Sequence, residues 1–153
     1  VRRVGRFAAL VVWMGLIFWL STDRGSSEHT RSALQVLLGD LFPGLSDAWL
    51  GRIDWNVRKT AHITEYAILG ILAYRALHPR VRELRHSAVV GSLVVGLAYA
   101  ISDEWHQSFV PSRGAAASDV FFDFFGILVG VALCLWHHAG VLSKLTRAKQ
   151  GSL

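Results

Sequence analysis

A chain of 153 residues has the length of one domain, and 52% of it is hydrophobic while only 18% is charged, well below the roughly 25% of a soluble domain. The net charge of +5 would suit nucleic acid in a soluble protein, but the basic residues flank apolar blocks and no recognition motif is present, so a membrane surface is the expected partner and nucleic acid is set aside. Cys134 is the single cysteine and sits in an apolar run, which excludes an internal disulfide and a cysteine zinc cluster.

The chain opens on Val1 rather than Met, as expected of either a GTG start or a trimmed fragment. Residues 1–6, VRRVGR, are basic, and Phe7 to Leu20 is an unbroken apolar run. The following STDRGSS lacks a small-x-small cleavage pattern, and Trp13, Phe18 and Trp19 suit an interfacial belt. A first transmembrane helix over about residues 4–21 is therefore favoured over a cleaved signal sequence. Residues 21–56 form the longest connection. Within it Leu34, Leu37, Leu38 and Leu41 recur at helical spacing, and Pro43-Gly44 stops the pattern. That segment is too short to span a bilayer and fits an amphipathic helix on the interface or a lid on the bundle.

A second span is expected over about 57–77. Lys59, His62 and Tyr66 follow i, i+3, i+7, and Glu65 lies three residues after His62, so these polar groups share one face near the start of the helix. An unpaired Glu65 at that depth would cost several kcal/mol, so it should turn inward to a partner. HPRVRELRH is a basic loop. A third span over about 87–108 offers Gly91, Ser92, Gly96 and Ala98 for close packing. Its last turns carry Asp103, Glu104, His106 and Gln107, and Pro111 ends it. After PSRGAAAS, Ser118 is the expected N-cap of a fourth span over about 119–138, with Asp119 and Asp123 as i, i+4 neighbours in its first turns. Residues 141–153 read as a basic, frayed cytoplasmic tail with Lys144, Arg147 and Lys149.

Arginines and lysines concentrate at the N-terminus, in the loop between spans two and three and in the tail. In the long first loop Arg24, Arg31 and Arg52 are offset by Asp23, Glu28, Asp40, Asp47 and Asp54. The positive-inside rule then puts both termini in the cytoplasm and both polar sets at the outer leaflet. The expected fold is all-α: a membrane bundle of four transmembrane helices with a short amphipathic interfacial helix in the first extracytoplasmic loop. His62, Glu65, Asp103, Glu104, Gln107, Arg113, Asp119 and Asp123 are expected to converge at its outer side. The remaining histidines, His78, His86, His137 and His138, fall near cytoplasmic helix ends, where imidazole suits the dipole.

RKTAHITEYAILG (Arg58 to Gly70) and SDEWHQSFVPSRGAAASDVFFDFFG (Ser102 to Gly126) resemble the VanZ-like family of bacterial membrane proteins. The family pattern is K-x-x-H-x-x-E-Y, then S-D-E-x-x-Q-x-F-x-P-x-R, then D-x-x-x-N-x-x-G. Lys59, His62, Glu65, Tyr66, Ser102, Asp103, Glu104, Gln107, Phe109, Pro111, Arg113, Asp119 and Gly126 match it, over roughly residues 50–140. Asp123 departs from it, standing where the family usually has Asn. The resemblance implies a small multi-helix protein of the bacterial inner membrane connected with low-level resistance to the glycopeptide teicoplanin. It supplies no established reaction and names no cofactor.

Three readings of the polar cluster follow. The first is a site that binds or modifies an envelope lipid or a lipid-linked cell-wall precursor. There His62, Glu65, Asp103 and Glu104 would serve acid–base chemistry. Lys59, Tyr66, Gln107, Arg113, Asp119 and Asp123 would hold the substrate, with Lys59 and Arg113 clamping a phosphate. Arg113 has a structural alternative, a salt bridge to Asp119 or Glu104. The second is a non-catalytic plug that fixes helix packing, since polar groups in membranes bond across helices for about 0.6–2 kcal/mol each. The third is a metal-dependent hydrolase using His62, Glu65, Asp103, Glu104 and His106, although H-x-x-E alone is a weak ligand signature. A channel is disfavoured, because ILGILAY and GILVGVALCLW leave the inner halves almost without polar residues.

Overall fold

In the computed structural model, residues 2–22, 32, 34–38, 42, 44, 46–78, 86–111 and 116–150 are described. They form four long helices and, among the described residues, no strand: α1 (Arg2–Leu20), α2 (Asp47–Leu77), α3 (His86–Gln107) and α4 (Ala117–Gln150). Each helix buries one stripe. In α3 this stripe is Ala88, Ser92, Gly96, Ala100, Asp103 and Gln107, a repeat of three to four residues in which small side chains give way to polar ones at the C-terminal end. In α4 the buried face runs from Asp119 and Asp123 through Gly126, Ile127, Gly130 and Val131 to His138. The polar residues therefore occupy the same helix faces as the packing residues, one or two turns further along.

The hydrophobic core is built from Leu10 and Ile17 of α1, Tyr66, Leu69 and Ala73 of α2, Ala88 and Ala100 of α3, and Ile127 and Val131 of α4. The most extensive packing is between α2 and α4. These two helices run parallel, since Lys59 meets Asp119 and, about five turns further along both, His78 meets His138. Their closest approach is glycine-made. A Cβ added at Gly70 would lie 2.7 Å from the Ile127 carbonyl oxygen, and one at Gly126 or Gly130 would collide with the carbonyl of Ile63 or Ala67. Backbone thus packs on backbone, the close contact that small-xxx-small spacing permits between apolar helices. Helices α1 and α3 run the other way. The Trp13 indole donates to the Glu65 carbonyl at 2.9 Å, and the Tyr99 hydroxyl donates to the Met14 carbonyl.

The outer surface is apolar. Val94, Phe121 and Trp136 are 59%, 74% and 77% exposed, which in water would be a large unprotected patch. Two helices are long and apolar enough to cross a membrane, His86–Gln107 and Ala117–Val141, and Val4–Leu20 is a shorter apolar helix. The second expected span is not among the apolar ones, because Arg58, Lys59, His62 and Glu65 lie along its first half.

Several boundaries differ from expectation. Helix α2 starts at Asp47, so 47–56 continue the helix instead of belonging to a loop. Leu50 and Asp54 are buried on the side that later carries His62 and Tyr66, and this continuous face extends the helix outward. Helix α4 begins at Ala117, which puts Ser118 inside the first turn; its hydroxyl lies 3.3 Å from Asp119 Oδ1, in place of the expected cap. The same helix continues to Gln150, through most of the segment expected to fray. Ala98, expected to pack, faces outward, while Ser92, Gly96 and Ala100 face inward. In the first loop 34–38 are helical, with Leu34 and Leu38 half-buried and Leu37 exposed; Leu41 and Pro43 lie outside the described residues.

Candidate functional site

The middle of α2, from Lys59 to Tyr66, meets the end of α3 and the start of α4. Two contacts join α2 to α4 there. Lys59 Nζ pairs with Asp119 Oδ1, and His62 Nδ1 lies 2.9 Å from Asp123 Oδ1. The two contacts are possible together because Lys59 and His62 are one turn apart on α2, and Asp119 and Asp123 one turn apart on α4. The Lys59 ammonium also lies over the rings of Trp55, at 5.9 Å, and Phe122, at 5.3 Å. Trp55 and Phe122 meet edge to face. Lys59 is thus held by charge and by aromatic faces.

Helix α3 supplies the third wall. Asp103 is 3% and Gln107 2% exposed. Gln107 Nε2 donates to Asp103 Oδ2 at 2.9 Å and reaches Ser21 Oγ at the end of α1 at 3.5 Å. Tyr66 is fully buried and faces Asp103. Glu65 and Asp119 add negative charge around His62, and Asp103 and Asp119 around Asp123. Glu104 lies within electrostatic reach of His62, Asp119 and Asp123. His106 turns away and stacks on Phe18 of α1, with ring centroids 4.3 Å apart.

The structure thus brings together His62, Asp103, Glu104, Lys59, Tyr66, Gln107, Asp119 and Asp123. Glu65 shares their level at the edge of the cluster, half-buried. Arg113 lies outside the described residues. The cluster is packed and buried; it is not an open cleft among the described residues. Lys59 is committed to Asp119, so an incoming phosphate would compete with that carboxylate.

The hydrogen bonding is incomplete. Asp103 Oδ1, the Tyr66 hydroxyl and both carboxylate oxygens of Glu104 are buried without a well-aligned hydrogen bond to a described residue, with Tyr66 facing Asp103 and Glu104 facing the Ala116 backbone. Buried polar atoms normally find partners, and one left alone costs about 1–3 kcal/mol. Four atoms with incomplete hydrogen bonding lie in this one cluster. No group of three or more His, Cys, Asp or Glu is spaced to hold a metal ion among the described residues. The arrangement itself offers a carboxylate–imidazole pair. With Nδ1 engaged by Asp123, the other ring nitrogen of His62 is the one left for exchange with a bound molecule.

Three contributors were not singled out from the sequence: Ser21, Tyr99 and the glycine seam of α2 and α4. The seam was signalled by Gly126 and Gly130 at G-x-x-x-G spacing. Ser21 and Tyr99 carry no local signal, because their roles depend on which turn of α1 lies against α3.

A family model described as VanZ/LLP1 matches residues 7–138. No curated protein and no solved structure matches the chain. The match reaches into all four helices and takes in every site residue named above.

Proposed function

The chain belongs to the VanZ/LLP1 family of proteins, and from that premise we propose that it is a four-span inner-membrane protein whose outward polar cluster binds or modifies an envelope lipid or lipid-linked cell-wall precursor, lowering sensitivity to glycopeptides such as teicoplanin. Its two apolar helices and its family mark it as a membrane protein. Four spans with both termini in the cytoplasm accord with the alternating direction of α1 to α4. The basic residues at the end opposite the cluster favour the same orientation.

The observation that carries the functional reading is the pairing of His62 with Asp123 beside Glu104, whose carboxylate oxygens are buried. The carboxylate orients the imidazole for proton exchange, and Glu104 supplies a second proton-exchanging group at the same level. Such a pair suits acid–base work on a hydroxyl or phosphoester of a lipid-linked substrate. Arg113, between α3 and α4 in the sequence, is the cation to engage its phosphate, since Lys59 is occupied.

A scaffold reading draws support from the same end of the bundle, because the Lys59–Asp119 and His62–Asp123 pairs by themselves tie α2 to α4. Glu104→Gln separates the two. Glu104 approaches the Ala116 backbone, a contact that the amide oxygen of Gln can keep, so the substitution removes the exchangeable carboxyl and leaves the fold in place. On the acid–base reading it abolishes protection of the host from teicoplanin while the purified protein unfolds at an unchanged temperature. Full protection by both Glu104→Gln and Asp103→Asn would end the acid–base reading and leave the scaffold.

A further inference from the structure

At the far end of the bundle from the polar cluster, α1, α2 and α4 enclose a cavity of about 510 Å³, within the range of small-molecule sites. Its walls carry Arg6 of α1, Tyr74, Arg75 and His78 of α2, and Cys134 and His138 of α4. None of the described residues that line it is acidic. Tyr74 stacks flat on His78, with ring centroids 5.1 Å apart, and His78 meets His138 edge to face at 5.6 Å. His138 is only 6% exposed, yet its Nε2 has no hydrogen-bond partner among the described residues, and neither has the buried Tyr74 hydroxyl. Ile71 and Leu133 supply apolar wall.

Two guanidinium groups, an aromatic floor and two buried polar atoms without partners are the features of an anion site. Guanidinium forks match phosphate oxygens, and the imidazole and phenol can donate to the same oxygens. The apolar wall beside them suits an acyl chain. We propose that this cavity binds a phosphate-bearing anion, in the form of the headgroup of an anionic phospholipid, at the end of the bundle opposite the candidate functional site. The site is independent of the acid–base cluster and shares with it only the membrane setting.

The full chain, purified in a nonionic detergent, is titrated with dihexanoyl phosphatidylglycerol, with inorganic phosphate and with phosphate-free dihexanoylglycerol, and the thermal unfolding midpoint is followed. Phosphatidylglycerol raises the midpoint saturably, and dihexanoylglycerol does not. Arg75→Gln weakens the apparent Kd ~tenfold or more, as expected for loss of one charge-assisted hydrogen bond, and Arg75→Lys weakens it less. Arg75 is exposed, so the substitution spares the core; if that variant fails to elute as the parent does, His138→Gln replaces it, with the same weakening expected. A midpoint shift with inorganic phosphate at the same apparent Kd assigns the anion site to soluble phosphate in place of a lipid. The proposal is overturned if neither phosphate compound shifts the midpoint, if dihexanoylglycerol shifts it equally, or if the variant binds as tightly as the parent.

Discussion

Asp123 is 1% and His62 8% exposed, and their bond of 2.9 Å crosses from α4 to α2. Replacing Asp123 with Ala removes the acceptor and leaves a buried imidazole nitrogen with nothing to bond. Replacing it with Asn keeps an acceptor oxygen in the same place but abolishes any charge. The magnitude depends on what the bond is. A neutral hydrogen bond between membrane helices is worth ~0.6 kcal/mol on average and at most ~1.7. A bond to a charged group is worth ~1.5–3 kcal/mol. We expect the pair to be of the second kind, because a carboxylate 2.9 Å from the ring nitrogen is a charged acceptor. The assay is a double-mutant cycle of His62→Ala and Asp123→Ala, read by equilibrium unfolding in mixed micelles. The expected coupling is ~1.5 kcal/mol or more, with Asp123→Asn losing part of it. A coupling near ~0.6 kcal/mol would mean a neutral bond. A coupling indistinguishable from zero would refute the claim that this contact joins α2 to α4.

The glycine seam makes a second prediction. Gly130→Leu drives a side chain into the Ala67 carbonyl and should destabilise the bundle by at least ~1–3 kcal/mol, the usual penalty of overpacking; Gly15→Ala, with nothing within 4 Å of the new Cβ, should change it by less than ~0.5 kcal/mol. Detergent unfolding of both variants checks this. Trp13→Phe keeps the ring but loses the bond to the Glu65 carbonyl, and should cost ~1 kcal/mol and speed proteolysis of the segment after α1 in the purified protein.

The spacing of Lys59 with His62, and of Asp119 with Asp123, is enough to put each pair on one helix face. Which residue meets which was not legible, because that depends on how far α2 is slid along α4. Three glycine–carbonyl contacts set that offset, and two of the glycines stand in a motif easily passed over inside an apolar run. The outward start of α2 was hidden for a different reason. Gly51, Asp54 and Asn56 interrupt the apolar pattern, yet Leu50 and Asp54 lie on the buried side and tertiary packing outweighs their composition. The cavity between Arg6, Arg75 and His138 was beyond reach as well. Its residues come from three helices, and each one singly reads as an ordinary helix-end cation.

Helix α2 has a mechanical consequence. Its 31 residues make a rod about 46 Å long at 1.5 Å per residue, against a hydrocarbon thickness of about 30 Å. No proline or other break interrupts it between Asp47 and Leu77. Trp49, 58% exposed, sits on the projecting part, about three to four turns before Lys59 and His62. Torque applied to that projection by a bound molecule is delivered to both residues at once, as by a driveshaft, and strains the Lys59–Asp119 and His62–Asp123 contacts together.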